Sequence, residues 1–125
     1  MALESHLIVE LYQVAESEVL DSPELMERLL RDLAESLGHE VRAIHVHEFE
    51  PYGVSALLLT EKGYVAVHTW PEHEYATANI VGFSVEGEED FSWTSSALEF
   101  LRERLKPEFD SIVEIKSGRI GRHRP

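Results

Sequence analysis

Polar and apolar residues alternate from His6 to Val14, the period of a half-buried strand. The period then lengthens. Leu25, Leu29, Leu30, Leu33 and Leu37 recur at helical spacing and predict a helix with one apolar face. The run Asp21-Ser22-Pro23-Glu24 supplies its start: a capping side chain, a proline whose fixed φ suits the first turn, and acid at the positive end of the helix dipole. Gly38 is placed to end it in the left-handed conformation that costs glycine nothing. After Gly38 the period returns to two. Val41, Ala43, Ile44, Val46 and Phe49 belong to a second strand, followed by strands over Val54 to Thr60, Tyr64 to Trp70 and Ala76 to Phe83. Their short links predict antiparallel pairing, and Glu61-Lys62-Gly63 is a tight connection in which Gly63 can take a positive φ. Beyond an acidic loop from Glu86 to Asp90, Trp93, Leu98, Phe100, Leu101 and Leu105 predict a second helix stopped before Pro107. Ser111 to Lys116 reads as a last strand. Helices with one apolar face must bury it on the sheet, so the expected fold is an α+β two-layer sandwich, two helices on one face of an antiparallel sheet.

No repeat and no linker interrupts the 125 residues, so one domain is expected over 1–118. Residues 119–125, with Arg119, Arg122, His123 and Arg124, read as a flexible basic tail. The net charge of −13 repels phosphates and anionic membrane surfaces, which argues against nucleic acid and membrane partners. Without cysteine there are no disulfides, zinc-thiolate sites or thiol nucleophiles. No apolar run approaches the roughly 20 residues of a membrane span, and the opening MALESHLIVELY lacks the pattern of a secretory signal. A cytoplasmic protein is the expectation.

Candidate chemistry gathers between Pro51 and Tyr75, PYGVSALLLTEKGYVAVHTWPEHEY. On its strand His68 alternates with Ala66 and Trp70, while Val65, Val67 and Thr69 face the other way. Ser55, Tyr52, Phe49, His47 and His45 lie on the neighbouring strand or its lead-in and join His68 on that face if the register allows. A histidine beside a hydroxyl is the minimum for proton transfer or nucleophile activation. No acid is obviously placed to orient His68, which weakens a Ser-His-acid hydrolase reading. The spacing His45-x-His47 puts two of the seven histidines on one strand face, and His68 would complete a three-histidine site only in the right register. His39, His73 and His123 fall in loops or at the terminus, and no metal is assigned.

The pattern PYGVS, about a dozen residues, then HTWPE resembles the small prokaryotic S-adenosylmethionine decarboxylases. The likeness extends over HLIVELY, the helix after it, FEPYGVS, VAVHTWPEHEYA and the closing helix and strand. It implies the same two-layer fold. In that family a serine in this hairpin is converted, with cleavage of the chain, into a pyruvoyl group that serves as the electron sink for decarboxylation. The resemblance implies that Ser55 and His68 are retained processing residues, that Phe49 stacks on adenine, and that Trp70 and Glu72 lie near the nucleoside and its ribose. Gly63 stands where the serine would be, Lys62 separates it from Glu61, and Phe83 stands in place of the family's catalytic cysteine. Glycine has no oxygen with which to attack the preceding carbonyl, so neither a pyruvoyl group nor another cofactor is expected.

The expectation is a chain that does not process itself, a non-catalytic ligand-binding or regulatory homologue in polyamine (spermidine) metabolism. It would bind an S-adenosylmethionine-like nucleoside and, by resemblance, form a homodimer or a heterodimer with a paralogue. Two alternatives stay open: an enzyme that uses Ser55 and His68 for a different reaction, and an active decarboxylase processed at another site.

Overall fold

The computed structural model describes residues 2–85 and 88–119. Its elements run β1 (Glu4–Val14), α1 (Pro23–Leu37), β2 (Val41–Glu48), β3 (Val54–Thr60), β4 (Gly63–Trp70), β5 (Tyr75–Phe83), α2 (Ser92–Leu105) and β6 (Pro107–Ser117). Short 3-10 turns occupy Val19–Asp21 and Pro71–His73. The strands form one sheet in the order β2-β3-β4-β5-β1-β6, every neighbouring pair antiparallel. Both helices pack on one face, over Leu7, Val9, Leu11, Leu58, Val67 and Ile80. This is the expected α+β sandwich. Of the predicted acidic loop, residues 86 and 87 lie outside the described residues, as do residues 120–125 of the basic tail.

Helix α1 starts and stops where the chain chemistry directs. Ser22 Oγ accepts from the Leu25 N–H at 3.1 Å, and Gly38 ends the helix at φ 70°. Its buried stripe is Met26, Leu29, Leu30, Leu33 and Ala34, whereas Leu25 is exposed, so the stripe is rotated by one residue from the all-leucine reading. In β2 the pairing with β3 shifts between Val41 and Ala43. That irregularity lets Val41, Ile44 and Val46 all pack on the core, and it explains why Ala43 and Ile44 broke strict alternation. Phe49 falls beyond the end of β2 rather than within it. β6 is longer than the predicted Ser111 to Lys116. Lys106, left-handed at φ 52°, makes the whole helix-to-strand turn, and Pro107 opens the strand, the position in a ladder where a missing N–H is tolerated.

Among the described residues no helix is long and apolar enough to cross a membrane. None of the described elements covers the second face of the sheet, where two cross-strand rows matter. One is polar: His47, Ser55, His68, Thr77, Glu10 and Ser111, each the register partner of the next. Beside it runs an aromatic row, Trp70, Tyr75, Tyr12 and Phe109.

The register of the polar row is held from beneath by Thr69. Its buried hydroxyl accepts from the Val54 N–H at 2.8 Å and donates to the Leu20 carbonyl at 2.6 Å. Thr69→Val keeps the shape and leaves both groups unpaired, so urea denaturation should show a loss of about 2 kcal/mol. Thr69→Ser should stay within about 1 kcal/mol of the wild type, since it removes only a methyl group.

Candidate ligand and proton-transfer site

Ser55 and His68 are direct cross-strand partners on β3 and β4, and Ser55 Oγ lies 2.7 Å from His68 Nδ1. Which atom donates follows the imidazole tautomer. Above the pair the chain between β2 and β3 turns back on itself and is clamped at both ends. The Phe49 N–H donates to the Gly53 carbonyl at 2.8 Å, and the Gly53 N–H donates to Asp21 Oδ1 at 2.8 Å. Gly53 sits at φ 98°, and a Cβ there would stand 2.7 Å from the Thr69 carbonyl oxygen, so no larger residue fits. This clamp presents the exposed rings of Phe49 and Tyr52 to solvent beside Ser55.

The result is a hollow of about 360 Å³ walled by Phe49, Tyr52, Ser55, His68, Trp70 and Glu72. Its size suits a small ligand. Aromatic faces can stack on a flat heterocycle, the Glu72 carboxylate can accept from paired hydroxyls, and the serine-imidazole pair can move a proton. The structure therefore brings together Phe49, Ser55, His68, Trp70 and Glu72. Among the described residues no carboxylate hydrogen-bonds to His68, which leaves it without the orienting acid of a hydrolase triad.

His45, His47 and His68 line one shallow hollow of about 300 Å³ without gathering into a metal-holding group. His47 shares the Ser55–His68 row, but His45 pairs with Leu57 in the next one. Among the described residues no group of three or more His, Asp or Glu side chains is arranged to hold a metal ion. His39 instead packs edge-on against Trp93, with ring centroids 4.9 Å apart, and burial lowers its pKa.

Gly63 and Phe83 lie elsewhere. Gly63 opens β4 at the far end of the strand, about 16 Å from His68 by strand rise, and faces Gly82 of β5. Its φ of 153° favours glycine, and a Cβ there would stand 1.9 Å from the Val81 carbonyl oxygen and 3.0 Å from Trp93 Cζ2. Trp93 of α2 lies over this glycine pair, its Nε1 buried without a hydrogen-bond partner. The Phe83 N–H donates to the Lys62 carbonyl at 2.8 Å, and the Phe83 ring packs edge-on against Tyr64 at 6.0 Å.

One cluster escaped the sequence reading. The Tyr12 and Tyr75 hydroxyls both donate to Glu10 Oε2, at 2.8 and 2.7 Å. These bonds, Tyr75's foremost, hold the Glu10 carboxyl below its usual range. Burial, reinforced by the bond to Glu10, pushes Tyr75 up to about 12, and donation to Glu10 likewise raises Tyr12. Alternation along β1 puts Glu10 and Tyr12 on one face; only the sheet register brings in Tyr75.

The family model for S-adenosylmethionine decarboxylase matches residues 5–118. The chain belongs to that family. Among its relatives, the S-adenosylmethionine decarboxylase proenzyme of Caldicellulosiruptor saccharolyticus is 36% identical over 117 residues, covering 94% of this chain and 90% of the relative. That of Thermotoga maritima is 34% identical over 118 residues, covering 94% and 86%. The crystal structure of the adenosylmethionine decarboxylase from Aquifex aeolicus matches with a TM-score of 0.85 over 99% of this chain and 98% of that one. At 22% identity this likeness speaks for the S-adenosylmethionine decarboxylase fold alone.

Tyr75 gives this member of the S-adenosylmethionine decarboxylase family an alkaline signature. The folded chain holds the Tyr75 proton to about 12, whereas the ordinary value is 10.0. The associated stability is complete below the lower value and lost as pH rises through the higher one. Tyrosinate absorbance of the folded protein should show a component at about 12 that is absent from Tyr75→Phe.

Proposed function

We propose that this chain is a member of the S-adenosylmethionine decarboxylase family that does not cleave itself and acts as a non-catalytic binding or regulatory protein in polyamine metabolism. The observation that carries this reading is the backbone at Gly63. A pyruvoyl precursor needs a Cβ and a side-chain oxygen, and at position 63 a Cβ would lie 1.9 Å from the Val81 carbonyl oxygen. The residues present do not fit the group. The match to relatives named as proenzymes supplies the contrast, since a proenzyme must be converted and this hairpin lacks the atoms for the family's conversion.

The ligand proposed for the 360 Å³ hollow is an S-adenosylmethionine-like nucleoside. Phe49 stacks on the base, Glu72 accepts from the ribose hydroxyls, and Trp70 closes the side, leaving Ser55 and His68 as vestiges of processing. The uncovered sheet face supports assembly as a homodimer, or with a paralogue that retains its serine, in the cytoplasm. A second reading rests on the 2.7 Å Ser55–His68 contact: an enzyme that has put this pair to a different reaction.

Intact mass under denaturing conditions decides the first point. One species at 14.3 kDa, inert to carbonyl reagents, is the expected outcome; two fragments, one with a blocked carbonyl terminus, would restore the decarboxylase. Gly63→Ser should remain a single chain and lose about 1–3 kcal/mol of stability from the backbone it must distort. Calorimetry with S-adenosylmethionine tests the ligand: Phe49→Ala should weaken binding about tenfold, and an absence of heat with the wild type would remove the nucleoside reading.

A further inference from the structure

Polar contacts join the corner between α1 and β2 to the β3–β4 hairpin. The Glu40 N–H donates to Glu61 Oε2 at 2.8 Å, and His39 Nδ1 lies 3.4 Å from Oγ1 of the buried Thr60. Thr60 in turn organises the hairpin turn. Its Oγ1 accepts from the Lys62 N–H at 3.1 Å, and the Gly63 carbonyl stands 3.5 Å away as an acceptor for its proton. A hydroxyl has only one proton to give. While Nδ1 is unprotonated, that proton can go to His39. Once Nδ1 carries a proton of its own it must donate to Thr60 Oγ1, and the hydroxyl proton is left to the Gly63 carbonyl. Protonation of His39 therefore reverses a bond at the root of the turn.

On its other side the imidazole stands edge-on to Trp93, at 75° with ring centroids 4.9 Å apart. The same indole lies over Gly63 and Gly82 with Nε1 buried and unpartnered. His39 is thus wedged, half-buried, between the hairpin and α2. The charged side chains that act on it, Glu61 and Lys62, both belong to the hairpin and oppose each other. Glu40 beside it is paired with Arg42 at 3.0 Å. Helix α1 meets it with the Ala34 carbonyl, which accepts from the His39 N–H at 2.9 Å, and α2 meets it with the Trp93 ring; neither is charged. Burial outweighs the two opposed charges and holds the imidazole below its ordinary value of 6.5.

We infer that His39 is a proton-operated latch: neutral, it seats the β3–β4 hairpin against α2 and the corner between α1 and β2, and on taking up a proton it reverses its bond to Thr60 and loosens that seat. Because the folded chain depresses its pKa, the latch is closed above 6.5 and opens as pH falls through the lower, folded-state value. It acts at the Gly63 end of β4, about 16 Å by strand rise from His68, and rests neither on the nucleoside reading nor on whether the chain cleaves itself.

Titration of the full ¹⁵N-labelled chain from about pH 8 to about pH 5, above the carboxylate range, tests the latch. The His39 ring should titrate below 6.5, and the Lys62 amide and the Trp93 indole N–H should shift with the same midpoint. His39→Asn, which cannot titrate in this range, should remove those components and leave the titration of His68 as in the wild type. Thr60→Val keeps the buried bulk without the hydroxyl; His39 should still titrate, and most of the coupled shift at Lys62 should be lost. The amide spectra of both variants report their folding. A His39 midpoint at or above 6.5 would overturn the latch, as would Lys62 and Trp93 signals that behave in His39→Asn as in the wild type. A Lys62 amide that follows His39 undiminished in Thr60→Val would overturn it too, and shifts spread evenly over the chain would do so by assigning the change to global unfolding.

Discussion

The register of β4 between β3 and β5 is the constraint on which the rest of this molecule depends. Because side chains alternate across a strand, a slip of one residue would send His68 into the core, away from Ser55, and turn Val67 and Thr69 outward. Two unlike devices hold the register. At one end, the Thr69 hydroxyl ties Val54 to the turn before α1; at the other, Gly63 meets Gly82 so closely that Trp93 can lie over both. The polar and aromatic rows follow from this alignment, as does the position of the hollow beneath Phe49.

Much of this was legible in the chain because it rests on local chemistry. Ser22, Pro23 and Gly38 mark the limits of α1, and the alternation through His68 puts it on one face with Trp70. What escaped depends on packing or on distance along the sequence. Met26 replaces Leu25 in the core because the helix is rotated on the sheet, and the irregularity in β2 is invisible until β3 is laid beside it. The start of β6 at Pro107 needed the knowledge that this strand lies at an edge. The bond between Glu10 and Tyr75 joins residues far apart in sequence, so no spacing rule could have found it.

The two ends of β4 carry unlike surroundings. The His68 end keeps a hydroxyl-imidazole pair under a clamped aromatic loop, which is a constellation suited to holding a small ligand. The Gly63 end has been filled by contacts between backbone and indole. Different contacts support the two ends.

The edge strand β6 has a consequence for behaviour in a crowded solution. It carries Phe109, Ile112, Val113 and Ile115 in exposed positions, with one rim of its backbone facing no neighbouring strand among the described residues, and such an edge is a template for lengthening the sheet with another molecule. An antiparallel meeting of two such edges centred on Ser111 would set Glu108 of each against Glu114 of the other. Like charges opposed across a new ladder work against it, so these two carboxylates disfavour that lengthening of the sheet.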